Sequence, residues 1–268
     1  MKTNRILTTI AAVSALTSCA DDSSKSLVLY YSQTGTTKAV AEEIASQTGS
    51  DLISFDVKEV YDGDFDATIK RCLEERQTGF LPTLIKPDAD ISKYDVVFLG
   101  FPIWFGTYAP PVKALIESGL LEGKVIVPFC TFGSGGLFSG SADLKAALPT
   151  AEIREGYGVR AARLASMAAE VQRFLIENGY KEGEVEPLPG FGPQEPVTEE
   201  QTATFDAACS GYQFPLGTPV TAASRKIPSG IEYLFVAESS APDGRLSTSR
   251  IYVIAEDGKA PEFTQVIR

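Results

Sequence analysis

From Leu27 to Thr37 the chain reads Leu-Val-Leu-Tyr-Tyr-Ser-Gln-Thr-Gly-Thr-Thr, an apolar run that stops in a hydroxyl-rich turn around one glycine. Directly behind it Val40, Ala41, Ile44 and Ala45 recur at helical spacing on one face. A short apolar strand that feeds straight into a helix constrains the fold more than any other feature of the chain, because it opens a β–α–β unit. The turn is also a place where chemistry can sit. The first N–H groups of a helix lack an intrahelical partner and point outward, which makes the turn a ready anion site. Ser32, Thr34, Thr36 and Thr37 place four hydroxyls within six residues, donors that suit a phosphate without adding positive charge. No Lys completes the GxxxxGK[ST] pattern, so the turn fits a phosphate monoester better than a transferring phosphoryl group. The plainer alternative is a hydroxyl-capped helix with no ligand.

The alternation continues. Apolar strands read at Leu27–Tyr31, Leu52–Phe55, Asp95–Gly100, Lys124–Cys130 and Ala151–Val159. Helical patterns read after Thr37, around Ala67–Gln77, at Pro111–Glu117, around Ala142–Leu148 and at Arg163–Asn178. That order predicts a doubly wound α/β unit over residues 27–180, with a parallel sheet covered on both faces. Residues 181–197 hold four prolines and three glycines and read as a linker. A second, smaller α+β unit is predicted over 198–268. It opens with a capping box, Thr198-Glu-Glu-Gln201, before a helix with Phe205, Ala208 and Cys209 inward. Strands follow at Val220–Ile227, Ile231–Glu238, Arg250–Glu256 and Phe263–Ile267, the last pair joined by a turn at Asp257-Gly258.

The N-terminus reads separately. Lys2 and Arg5 precede an apolar run from Ile6 to Leu16, too short to span a bilayer and shaped like a signal peptide over residues 1–18. Leu16-Thr-Ser-Cys19 resembles a bacterial lipobox, which would make Cys19 the lipidated first residue and 19–26 a tether. Asp21-Asp22-Ser-Ser resembles the acidic stretch that directs some lipoproteins to the cell surface. Removal of the leader would take the net charge from −11 to −13, unfavourable for nucleic acid and suited to cationic partners or to plain solubility. Cys72, Cys130 and Cys209 give no CxxC spacing, and Cys130 reads as a small buried hydrophobe. The chain contains no histidine, which excludes Ser-His-Asp and Cys-His catalysis and His-ligated metal. An enzyme built on this chain would need a cofactor to carry its chemistry.

Three loops fall at the ends of the first, third and fourth strands, where open α/β sheets bind ligands. They are Ser32–Thr37, Pro102-Ile-Trp-Phe-Gly-Thr-Tyr108 and Thr131-Phe-Gly-Ser-Gly-Gly136. Trp104, the only tryptophan, sits in a loop and not on a periodic face, as stacking on a planar ring requires. The glycines of the third loop let backbone N–H groups approach a ring edge. Together Tyr31-Ser-x-Thr-Gly-x-Thr, Gly100-Phe-Pro-Ile-Trp-Phe-Gly and Pro128-Phe-Cys-Thr-Phe-Gly-Ser-Gly-Gly resemble the three FMN loops of the flavodoxin family. The resemblance implies a five-stranded parallel sheet in the order 2-1-3-4-5 and FMN as cofactor. It implies phosphate binding by Ser32, Gln33, Thr34, Gly35, Thr36 and Thr37. It implies ring contacts from Pro102, Ile103, Trp104, Phe105 and Gly106, with Trp104 stacking, and from Thr131, Phe132, Gly133, Ser134, Gly135 and Gly136. Phe132 departs from the family's usual Ser, and Tyr108 or Phe138 is left as second stacking partner. The helix-then-meander order of the second unit resembles cystatin-like rolls fused behind flavodoxin domains.

Two functions of different class follow. One is redox: an FMN electron carrier in the cell envelope, or an FMN-dependent NAD(P)H:quinone-type reductase, with a protein or quinone-like partner. The other is a lipid-anchored surface protein that uses the scaffold as a non-redox binding module.

Overall fold

The computed structural model of the chain describes residues 25–62, 64–212, 214, 216–240 and 244–267. The leader, Cys19 and the tether as far as residue 24 lie outside the described residues, and Ser26, expected at the tether's end, is the first residue of β1. In chain order the first unit runs β1 (Ser26–Tyr30), α1 (Thr36–Thr48), β2 (Asp51–Ser54), β3 (Asp56–Val57), α2 (Phe65–Thr78), β4 (Leu84–Ile85), β5 (Val96–Trp104), β6 (Thr107–Tyr108), α3 (Pro110–Glu117), β7 (Val125–Phe132), α4 (Leu137–Ala147), β8 (Glu152–Ile153), β9 (Tyr157–Arg160) and α5 (Met167–Glu177). β1 pairs with β2 and β5, β5 with β7, and β7 with β8 and β9, all in parallel. This is the expected 2-1-3-4-5 order, read as β2–β1–β5–β7–β8, with β9 also on β7.

Strand periodicity builds two cores from one sheet. Leu27, Leu29, Val97, Leu99, Phe101, Ile126 and Cys130 point to one face, with Val112 and Leu115 of α3 and Leu144 of α4. Val28, Phe98, Val127 and Phe129 point to the other, with Val40, Ala41 and Ile44 of α1 and Val171, Phe174 and Leu175 of α5. Residues apolar at every position, buried on both faces, are what a central parallel strand needs. Cys130 is fully buried in β7, as its apolar surroundings in the sequence predict.

Several boundaries differ from expectation, and neighbouring residues account for the main ones. The strand expected at Ala151–Val159 is split into β8 and β9. Ile126 accepts on this side from the Arg154 N–H, so Pro128, two residues on, faces the same side with no N–H to offer. The helix expected from Ala142 starts at Leu137, because Gly140 lets it lie close on the sheet: a Cβ there would meet Ile103 at 3.0 Å and Phe101 at 3.4 Å. The helix expected from Arg163 begins as a 3₁₀ segment, Ala161–Ser166, before α5. β5 runs on through Pro102, Ile103 and Trp104 and folds back on β6, so the second loop shrinks to the hairpin tip Phe105-Gly106.

The second unit is antiparallel: β10 (Glu195–Pro196), α6 (Glu199–Cys209), β11 (Thr218–Ile227), β12 (Gly230–Ser240), β13 (Leu246–Glu256) and β14 (Glu262–Ile267), with strands in sequence order. β10 lies inside the stretch read as linker and forms the edge of this sheet on β11. Thr198 and Gln201 make both bonds of the capping box that opens α6. α6 packs Phe205 edge-on to Phe235 at 5.2 Å, over Ile251, Val253 and Phe263. Among the described residues no helix is long and apolar enough to cross a membrane.

Candidate functional site

The carboxyl ends of β1, β5 and β7 are adjacent in the sheet, and the three loops leave from them. Loop 1 follows β1. Gly35, at φ +88°, turns the chain into α1 in a conformation disfavoured for residues with a Cβ. The Ser32 Oγ accepts from the N–H groups of Gly35 and Lys38, at 3.1 and 3.2 Å. The N–H groups of Thr36 and Thr37 have no partner among the described residues. Thr34 and Gly35 are exposed, and the Thr34 and Thr36 hydroxyls lie 3.4 Å apart. Thr37, by contrast, is buried, and its hydroxyl bonds the buried Thr131 hydroxyl at 2.8 Å. It therefore braces loop 1 against the start of loop 3. Gln33 turns aside too: its amide donates to the Tyr61 carbonyl at 3.1 Å and to the Thr68 hydroxyl at 2.8 Å, tying loop 1 to α2.

Loop 2 carries the aromatic residues. Trp104 is half-buried, with Tyr31 edge-on at 6.1 Å and Tyr61 tilted at 5.2 Å. These rings fix the indole plane. Tyr61 is itself held from below: its hydroxyl donates to Glu75 at 2.6 Å, and the Arg71 guanidinium lies 3.7 Å over its ring. Burial, then the Glu75 contact, pushes the Tyr61 phenol well above its ordinary value. Sequence reasoning missed this Tyr61–Glu75–Arg71 support, since nothing in spacing links residue 61 to residue 104. Beside Trp104 lies a cavity of about 320 Å³ with Phe80, Phe105 and Tyr108 in its walls and Arg76 and Lys113 as cations. Tyr108 packs edge-on to Phe101 at 6.3 Å.

Loop 3 follows β7. Its first residues Thr131 and Phe132 are still strand and buried; Gly133, Ser134, Gly135 and Gly136 form the turn into α4. A second cavity, about 510 Å³, opens beside it between Gly106, Ser134–Gly136, Phe138 and Gln265 of β14. Phe138 is 70% exposed there, which leaves its ring free where Tyr108 is already packed. The contribution of β14 was invisible in the sequence, because it depends on how the second unit sits against the first. Among the described residues no group of His, Cys, Asp and Glu is arranged to hold a metal ion.

The sequence model of the Flavodoxin family matches residues 25–171, more than half of the chain. The chain belongs to the flavodoxin family. Solved structures similar to this flavodoxin include proteins described as flavoproteins from Bacteroides eggerthii and Bacteroides uniformis. They are 28% and 26% identical, each covers 55% of this chain, they are covered over 98% and 97% of their own length, and their TM-scores are 0.47 and 0.49. A flavoprotein of Lactobacillus acidophilus, solved in complex with FMN, is 25% identical over 55% of this chain and 99% of its own, with a TM-score of 0.46. No curated protein matches the chain.

Proposed function

We propose that this flavodoxin binds FMN across the three loops and serves as an electron-transfer protein of the cell envelope. The observation that carries the reading is the convergence, at one sheet end, of donors without a partner among the described residues and a held aromatic ring. Thr36 and Thr37 N–H, with the Thr34 and Thr36 hydroxyls, suit a phosphate. Loop 3 offers backbone donors to a ring edge, and Trp104 offers a plane whose orientation Tyr31 and Tyr61 set. These residues fit FMN: a monoester phosphate and a flat heterocycle with carbonyl acceptors. When bound, FMN supplies one- or two-electron transfer, and the surroundings tune its potential. The role left to the chain is to bind, orient and shield. No nicotinamide-binding fingerprint is visible in the sequence, and the acidic net charge makes a phosphate-rich NADPH a poor partner at long range, which favours carriage over reduction by NAD(P)H. The partner is a redox protein or a small quinone-like acceptor, and the anchor is lipid on Cys19 in an exported chain.

Titration of the purified chain with FMN tests the reading. Flavin fluorescence should be quenched on binding, and Trp104→Ala should weaken the affinity by about tenfold, in line with about 1–3 kcal/mol for a stacked aromatic ring. A wild-type chain that leaves FMN fluorescence unchanged overturns the redox function and leaves the scaffold as a binding module.

A further inference from the structure

The second unit meets the first at loop 3, where a loop carbonyl accepts from β14, and at Arg160 and Arg163, which bond Phe263 and Glu262. The Arg160 Nε donates to the Gly133 carbonyl at 3.0 Å, and the Val266 N–H of β14 donates to the Gly135 carbonyl at 3.1 Å. Arg160 also reaches into the second unit. Its Nη1 donates to the Phe263 carbonyl at 2.8 Å, and its guanidinium lies 3.5 Å over the Phe263 ring. Two residues further along, Gln265 sits so tightly on Gly136 that a Cβ there would overlap its amide. One arginine and one strand therefore hold alternate carbonyls of a glycine-rich loop.

Peptide geometry turns this into a statement about the site. In a trans, planar peptide the carbonyl of one residue and the N–H of the next point in opposite directions. No cis peptide occurs among the described residues. With the carbonyls of Gly133 and Gly135 drawn toward Arg160 and β14, the N–H groups of Ser134 and Gly136 face away from them. Neither N–H has a partner among the described residues. A loop with three glycines has many conformations to lose on ordering, and fixing it beforehand lowers what a ligand must spend on that step.

We propose that Arg160 and β14 are positioning elements of the flavin site: they aim the Ser134 and Gly136 N–H groups at the flavin ring edge, so that FMN binding and docking of the second unit are thermodynamically coupled. The inference rests on the FMN reading above and deepens it. It gives the second unit a task in cofactor binding without requiring any of its side chains to touch the flavin. Linkage is reciprocal, so whatever docking does for FMN, FMN does for docking.

The test uses the full chain with FMN and three readouts. Arg160→Ala should weaken FMN binding by about tenfold, within the usual range of coupling between sites. It should also move the infrared carbonyl bands of the bound flavin to higher frequency, which a simple loss of fold stability would not do. In the wild type, FMN should slow hydrogen exchange at the Val266 N–H by a similar factor; this needs no variant and decides the matter if Arg160→Ala fails to fold. Tight FMN binding with unchanged Val266 exchange, or with unshifted flavin bands in Arg160→Ala, overturns the coupling while leaving the FMN function standing. Absence of FMN binding by the wild type overturns both.

Discussion

Phe105 holds a backbone conformation that its own side chain disfavours. Its φ is +52°, and the next residue, Gly106, lies at +80°. A two-residue hairpin tip with both φ positive is the type I′ arrangement, which matches the twist of the flanking strands and prefers Asn-Gly. A bulky residue at the first position costs about 1–2 kcal/mol of backbone strain. Its ring is 42% exposed, with Arg76 at 5.6 Å, so packing does not explain its presence. Phe105→Asn should therefore raise the unfolding free energy by about 0.5–1 kcal/mol, read from a urea melt. Unchanged or lower stability would show that the ring contributes more packing than its exposure suggests. Strain retained at the rim of a site is the kind that function keeps. The residue type was legible in the sequence; its positive φ was not, because only the pairing of β5 with β6 forces the tip.

At the scale of elements, local signals succeeded where they were self-contained and failed where a neighbour decided. The capping box of α6 is self-contained. Thr198 Oγ accepts from the Gln201 N–H at 3.2 Å, and the Gln201 side chain accepts from the Thr198 N–H at 2.9 Å. Thr198→Ala should cost about 1 kcal/mol in thermal or urea unfolding, and Thr198→Ser much less. Equal losses for the two would mean that the Thr methyl, and not the hydroxyl, matters. The start of α4 was decided by its neighbours. Ser139-Gly140-Ser141 is poor helix sequence, yet Gly140 permits the close seat on Phe101 and Ile103 that stabilises the extra turn. Likewise β10 could not be read from Glu195-Pro196, since a two-residue edge strand exists only because β11 lies beside it.

At the scale of the whole molecule, burial of acidic protons sets an alkaline limit. Burial pushes the Cys72 thiol up to about 11 and the Cys209 thiol up to about 12, from an ordinary 9.0. It also raises the phenols of Tyr31, Tyr61 and Tyr157 above their ordinary 10.0. Between the unfolded and folded values the unfolded chain has lost these protons and the folded chain has kept them. Stability should therefore be insensitive to these groups below about pH 8.5 and fall progressively as pH rises beyond it. Urea midpoints from pH 7 to 11 check this, and Cys72→Ala should flatten part of the fall; a flat profile to pH 11 would refute it. The parallel sheet, its strand order through family likeness, the turns after β1 and β7 and the capping box were legible in residue order alone. Each of these is written in consecutive residues, as strand runs, helical spacing or turn chemistry. Packing between distant segments makes Thr37 brace Thr131, turns Gln33 to α2, sets Tyr61 and Glu75 under Trp104, and brings Arg160 and β14 onto loop 3. Those contacts join residues 14 to 131 positions apart, and local pattern carries no information about which distant surfaces the packed core brings together.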